Sequence, residues 1–321
     1  MPAVLKPFFI TFAACLAIHL WPAGLFFWAV IWGTAILLAG AYMGMIQLLA
    51  LAGSNFLFLL LLGDSALTLD LLVFYAIPAL VAAILLKKQK TYYTILGKAL
   101  LAAVMSVLIY MGISYAYLGT EGISQIKSGI DLAAENSLAW ANQSGFMERY
   151  EQRGISREEI KQAYTELAHL LLVFTPALLC IQALLATFLI LYSSSRMYRK
   201  KRLSGLERKP FHEEIMPWQL TWAVIAGLAC WLLGREQMNW LYYTGTNILA
   251  IMFPITFFFG CAVIVYWLQH LPAKRKTWVV TLVVLLGLFF SVPTIIFIGL
   301  TGLFDSLLDY RKVHRKKEGI Q

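Results

Sequence analysis

Six polar side chains interrupt otherwise apolar runs in this sequence: Gln47, Asn55, His169, Gln182, Asn247 and Gln269. Such groups are costly in an apolar medium, so they turn toward a cavity or toward a neighbouring helix. Two roles are therefore open to each: holding a ligand by hydrogen bonds, or tying helices together. Asn55 and Gln182 lead as ligand-binding candidates, and Asn247 joins them. His169 falls near the end of its apolar run, where interfacial solvation accounts for it. None of the six carries charge unless His169 is protonated, which weighs against a proton pump or a charge-relay transporter. Arg235, beside Glu236 and close to Asn239, sits in a short connection where it could take an anionic headgroup or a solute, or simply face water.

The sharpest local pattern closes the chain: Gly302, Asp305, Asp309, Arg311 and Lys312. A continuing helix would put Asp305 and Asp309 on one face, with Lys312 placed to neutralise Asp309 and Arg311 pointing elsewhere. Two carboxylates at a helix exit could bind a cation, close a salt-bridge network or dock a partner. Alternatively, this is an anchored helix end with snorkelling basic residues.

No catalytic motif is present. The Gly-x-x-x-x-Gly-Lys-Ser/Thr phosphate loop is missing, as are His-Glu-x-x-His and Gly-x-Ser-x-Gly. Cys15, Cys180, Cys230 and Cys261 each stand alone in an apolar run, and the five histidines are scattered without metal-ligand spacing. No enzyme activity, cofactor or metal is implied.

What positions these residues is a membrane. Of 321 residues, 60% are apolar and 13% charged, with a mean hydropathy of +0.73; soluble proteins carry about 25% charged residues. A helix needs about 20 apolar residues to cross hydrocarbon, and stretches such as 95–118, 167–191 and 278–303 supply them. The chain reads as all-α, a polytopic transmembrane helical bundle of about nine to ten spans with an extracytoplasmic helical insert. Residues 1–118 form an N-terminal five-span bundle, 119–166 the polar insert, 167–192 the sixth span, 193–216 a basic loop, 217–304 the C-terminal spans and 305–321 a basic tail. Ser156 and Glu159 fit a capping box that starts the helix running into the sixth span. The late apolar stretches are expected to break near Pro254 and at Pro293, and one of them to fold as a hairpin.

Charge orients the chain. Basic residues collect on the cytoplasmic side. That puts Lys87–Lys90 and Arg196–Lys209, with its seven Lys or Arg, inside, and the net-acidic insert outside. Both termini are then cytoplasmic. The net charge of +9 largely reflects this sidedness; the lipid bilayer, not nucleic acid, is the implied partner. Ala13 and Ala17 lie one helical turn apart, as do Ala35 and Ala39, Gly40 and Gly44, and Ala223 and Gly227. Such spacing lets helix backbones approach closely in lipid, within the chain or against a second membrane protein.

Several of these features together carry a resemblance. They are the four tight N-terminal spans ending in Leu86-Lys87-Lys88, the segment Thr175-Pro176-Ala177-Leu178, the stretch Phe258 to Val263, and the ending from Gly302 to Lys312. The whole chain resembles the YybS-like family of bacterial polytopic membrane proteins, a domain of unknown function, which implies a bacterial cytoplasmic membrane. Residues 5–118 look like S components of energy-coupling-factor transporters, whose first helix docks through Ala-x-x-x-Ala onto a transmembrane module driven by paired ATPases. That resemblance implies a docking role for Ala13 and Ala17. The insert, the extra spans and the basic tail depart from the S-component pattern. Solute or lipid binding of transport-related type is therefore the leading expectation. The alternative is a scaffold or regulatory protein that holds other membrane proteins through its insert and basic inner loops.

Overall fold

The computed structural model of the chain describes residues 5–147, 156–308 and 310–311. It is all-helical, with 87% of residues in helices and no strand among those described. Lipid explains this economy: a helix closes its own backbone hydrogen bonds where no water can. The chain divides into two compact units, Met1–Arg208 and Lys209–Gln321.

In the N-terminal unit, α1 (Leu5–Leu20) turns through a short 3-10 segment, Pro22–Gly24, into α2 (Leu25–Gly40). Next come α3 (Met45–Leu61), α4 (Ser65–Leu71), a π-helical turn (Leu72–Ala76) and α5 (Ile77–Lys87). Two long helices complete the unit, α6 (Tyr92–Gln143) and α7 (Arg157–Lys200). The central element is α2, which packs against α1, α5 and α7. It has no polar face, so it can be enclosed: every residue from Trp32 to Gly40 is buried. Gly33 permits the approach of α7, because a Cβ there would lie 2.5 Å from Ile190 Cδ1.

The two long helices outrun the bilayer. At about 1.5 Å per residue, the 44 residues of α7 are about twice as long as hydrocarbon is thick. The expected capping box starts it: Ser156 Oγ accepts from the Glu159 N–H, and the Ser156 N–H donates to Glu159 Oε2 (3.2 and 2.8 Å). In α6 the apolar part, Tyr92–Tyr117, ends just before a kink at Gly119 (φ 51°, ψ −143°), a conformation that suits glycine alone.

The C-terminal unit comprises α8 (Gln219–Gln237), α9 (Asn239–Gln269), α10 (Ala273–Phe289) and α11 (Ser291–Leu308). α9 is the hub, packing against α8 and α11. Glycine makes both contacts. A Cβ on Gly245 would strike the α8 backbone at Trp231, and one on Gly260 would strike the Ile298 carbonyl of α11. Gly302 faces the Thr256 carbonyl and Gly260 in the same way. These are the close backbone approaches that small residues allow in lipid.

The expected break near Pro254 does not form. α9 runs through Pro254 without interruption, since flanking helices can shelter the one carbonyl a proline leaves unbonded. The other late stretch does divide, between Phe289 and Ser291, with Phe290 outside helical geometry (φ −130°, ψ 53°) and Pro293 in the first turn that follows. Among the described residues, six helices have the length and composition to cross a membrane: Pro22–Gly40, Ser65–Lys87, Tyr92–Tyr117, Glu158–Lys200, Asn239–Gln269 and Ser291–Leu308. A count of nine or ten would also need the shorter or less apolar helices α1, α3, α8 and α10.

Candidate functional site

The most distinctive local geometry lies where α4 passes into α5. Pro78 has no N–H, and its ring crowds the carbonyl four residues earlier, that of Phe74. The chain answers by widening one turn: the Ile77 N–H donates to the Leu72 carbonyl, five residues back. That shift takes from the Val73 carbonyl its usual donor, and Ser106 of α6 replaces it, its hydroxyl donating to Val73 O at 2.8 Å. Single π turns of this kind occur often at functional sites.

This turn presents Tyr75. Its side chain is fully buried, with Phe26 of α2 edge-on at 6.4 Å. Gln182 of α7 donates from Nε2 to the Tyr75 hydroxyl at 2.9 Å. Gln182 is half-buried, and its carbonyl oxygen has no hydrogen-bond partner among the described residues. Asp70, two residues before the widened segment, is also half-buried. Aromatic rings and an amide with spare hydrogen-bonding capacity thus meet inside one apolar bundle. Asp70 was not among the candidates read from the sequence, although a signal existed: a lone carboxylate five residues into an apolar run that then continues to Leu86.

The other candidates are placed differently. Asn55 is completely buried, and its polar groups are taken up by neighbours. Its Nδ2 donates to Leu51 O at 2.6 Å and to Thr11 Oγ1 at 3.3 Å, while its Oδ1 accepts from Cys15 Sγ at 3.3 Å. It ties α3 to α1. Ala13 is exposed and Ala17 half-buried, so their edge of α1 turns away from the unit's core. At the end of the same helix, His19 pairs with Asp64 in the turn between α3 and α4. The indole N–H groups of Trp28 and Trp32 are buried without an acceptor among the described residues; the Trp32 ring lies against Phe56 of α3 at 5.9 Å.

In the C-terminal unit, Asn247 donates to Tyr243 O on its own helix at 2.9 Å. Arg235 is exposed, its guanidinium 5.7 Å from the Trp231 ring centre.

The C-terminal pattern folds otherwise than a continuing helix would. α11 ends at Leu308, and Tyr310 and Arg311 form a turn. Arg311 therefore swings back onto Asp305 instead of pointing away from it. Its Nε and Nη2 donate to Asp305 Oδ2 at 3.1 and 2.7 Å. Nη1 donates to the His212 carbonyl at 2.6 Å, and Nη2 also reaches the Glu214 carbonyl at 2.7 Å. The Tyr266 ring lies 5.7 Å from the guanidinium. Asp305 is 2% exposed and Arg311 3%. The cluster pins the segment before α8 to the end of α11, a structural clasp. The expected grouping of Asp305 with Asp309 and Lys312 involves residues outside those described. Among the described residues, no three His, Cys, Asp or Glu side chains group as a metal site.

Comparison with known families agrees with the membrane reading. The family model described as "Predicted membrane protein (DUF2232)" matches residues 9–306, nearly the whole chain, and the chain belongs to that family. No curated protein and no solved structure matches it.

Proposed function

We propose that this member of a membrane-protein family binds a small solute inside its N-terminal unit, at the Tyr75–Gln182 cluster, as the capture component of a transport-related system. The observation that carries the reading is the half-buried Gln182 amide. It is fixed on Tyr75 by one N–H, while its carbonyl has no partner at a widened turn in an apolar helix. A purely structural amide would be expected to use its groups as Asn55 does. The reading keeps the likeness to S components and to the YybS-like family. Residues at the Ala13–Ala17 edge of α1 would meet an energy-supplying membrane partner, in a bacterial cytoplasmic membrane with both termini inside.

The test is affinity purification of tagged protein from its host in mild detergent, with mass spectrometry of co-purifying small molecules and proteins. A stoichiometric small molecule or lipid should be recovered. It should be lost from Tyr75→Phe and Gln182→Leu and retained by Asn55→Leu. Wild-type protein that carries no bound molecule, or variants that carry it unchanged, would remove the cluster from consideration.

A second reading, a membrane scaffold, draws on the insert. There Trp140, 62% exposed, stacks on Phe146 at 5.5 Å and offers apolar surface beyond the span. Recovery of other membrane proteins with no solute, abolished by Trp140→Ser, would favour it.

A further inference from the structure

We infer that α10 is a lipid-bathed return span, and that its basic end, Lys274-Arg275-Lys276, holds the headgroup of an anionic phospholipid. This concerns the C-terminal unit alone and is independent of the solute reading.

Helix directions fix the path of α10. α8 and α9 are antiparallel: Gly234 meets Tyr242 close to their joining turn, and Gly227 meets Ile248 farther along both. α9 and α11 are parallel: Gly299 faces Thr256, Gly302 faces Gly260, and farther toward both C-terminal ends the Tyr266 hydroxyl donates to the Arg311 carbonyl at 3.4 Å. Thr221 at the start of α8 hydrogen-bonds Ser306 near the end of α11 at 3.1 Å, as the same arrangement requires. The chain therefore leaves α9 at one end of the unit and enters α11 at the other. Only α10 lies between, so it runs back along the unit. It is about 25 Å long, and the long basic side chains at its start reach outward to make up the hydrocarbon thickness.

Little of the protein shields this helix. No residue of α10 is buried, and Val280, Leu282, Val284 and Leu285, which point in different directions around it, are all exposed. A helix apolar on every side suits a surrounding of lipid. Lys274, Arg275 and Lys276 are exposed, with no ion pair among the described residues; at the same end Glu213 lies by His212 and Asp305 pairs with Arg311. Trp267 and Trp278, 53% and 78% exposed, flank the three cations, as aromatic residues do at headgroup depth. At the opposite end Arg235 and Glu236 cancel. One end of the unit thus carries uncompensated positive charge next to an open apolar helix. A phospholipid answers both features, with its phosphate on the cations and its acyl chains along α10. Free phosphate answers only the first. Basic residues collect on the cytoplasmic side, which gives this end to the cytoplasmic leaflet.

Two measurements test the inference on full-length protein. In a cysteine-free background, Ala273→Cys and Ser291→Cys are exposed to a membrane-impermeant maleimide in right-side-out and in inverted vesicles. Ala273→Cys should react only in inverted vesicles and Ser291→Cys only in right-side-out ones; any other pattern would overturn the return span or its orientation. Native mass spectrometry then weighs protein released from nanodiscs of equal parts phosphatidylglycerol and phosphatidylcholine. Wild type should retain the anionic lipid preferentially. Each basic residue near an anionic surface strengthens attachment about fivefold. Lys274→Gln, Arg275→Gln and Lys276→Gln together should therefore cut the preference at least about tenfold. Arg275→Gln alone should fall between, and Arg235→Gln should change nothing. Millimolar inorganic phosphate should leave the retained lipid in place. Thermal unfolding and the maleimide pattern establish that each variant is folded and correctly oriented. No preference for the anionic lipid, a preference that survives in both the triple and the Arg275→Gln variants, its loss in Arg235→Gln, or its displacement by phosphate would each overturn the headgroup assignment.

Discussion

Removing Asp305 should loosen the C-terminal unit far more than removing a surface charge, because it strands Arg311. The guanidinium is 3% exposed and would keep only the His212 and Glu214 carbonyls as hydrogen-bond partners. Breaking a buried ion pair by deleting one partner costs about 3–5 kcal/mol. Asp305→Ala belongs at the lower end, about 3 kcal/mol, since two neutral acceptors remain to share the charge. Arg311→Met should cost more, about 4–5 kcal/mol, because it leaves a buried carboxylate whose Oδ1 already lacks a partner and strips donors from two carbonyls. The double variant Asp305→Ala with Arg311→Met buries no charge at all. It should be less damaging than the sum of the singles by about 3 kcal/mol or more. A local readout is available in Cys261, half-buried on α9, the helix against which α11 packs. Maleimide labelling of Cys261 across a denaturant series, followed by mass spectrometry, gives the opening free energy of this unit for all four proteins. Single effects that add to within about 0.5 kcal/mol would refute the reasoning, since independent sites behave that way.

Other perturbations follow from the packing. Gly302→Val should separate α9 from α11, because its side chain meets the Thr256 carbonyl and Gly260; overpacking of this kind costs about 1–3 kcal/mol, and faster Cys261 labelling would report it. Gly287→Val on α10, where a Cβ meets nothing within 4 Å, should leave labelling unchanged and serves as the control. Gly119→Ala should straighten α6, since φ 51° with ψ −143° strains any residue with a Cβ by about 1–3 kcal/mol; spin labels at Lys98→Cys and Ser137→Cys in a cysteine-free background should move apart. Asn55→Leu should cost only about 1 kcal/mol, in line with measured interhelical hydrogen bonds in lipid, and should leave any co-purified solute in place.

The architecture was legible because lipid permits few solutions. Apolar runs of sufficient length had to be helices, and the turns at Pro22, Gly63 and Ser156 were marked by residues whose backbone preferences are strong. What failed was any inference that needed to know a neighbour. Pro254 and Pro78 look alike in sequence, yet one sits in an unbroken helix and the other beside a widened turn. The difference lies partly in what can cover the exposed carbonyls, and Ser106 is 33 residues away from the Val73 carbonyl it serves. The reach of Arg311 back to Asp305 was hidden for the same reason. It depends on α11 ending at Leu308, and the buried carbonyls of His212 and Glu214 favour that ending from nearly a hundred residues upstream.

Counting donors and acceptors separates the polar residues better than their types do. Asn55 and Gln182 carry the same functional group at similar positions in apolar runs, and sequence weighs them alike. In the fold, Asn55 hydrogen-bonds through both its nitrogen and its oxygen, whereas Gln182 uses its nitrogen alone. In an apolar medium an unused amide oxygen is costly, and a ligand that donates a hydrogen bond to Gln182 would offset that cost.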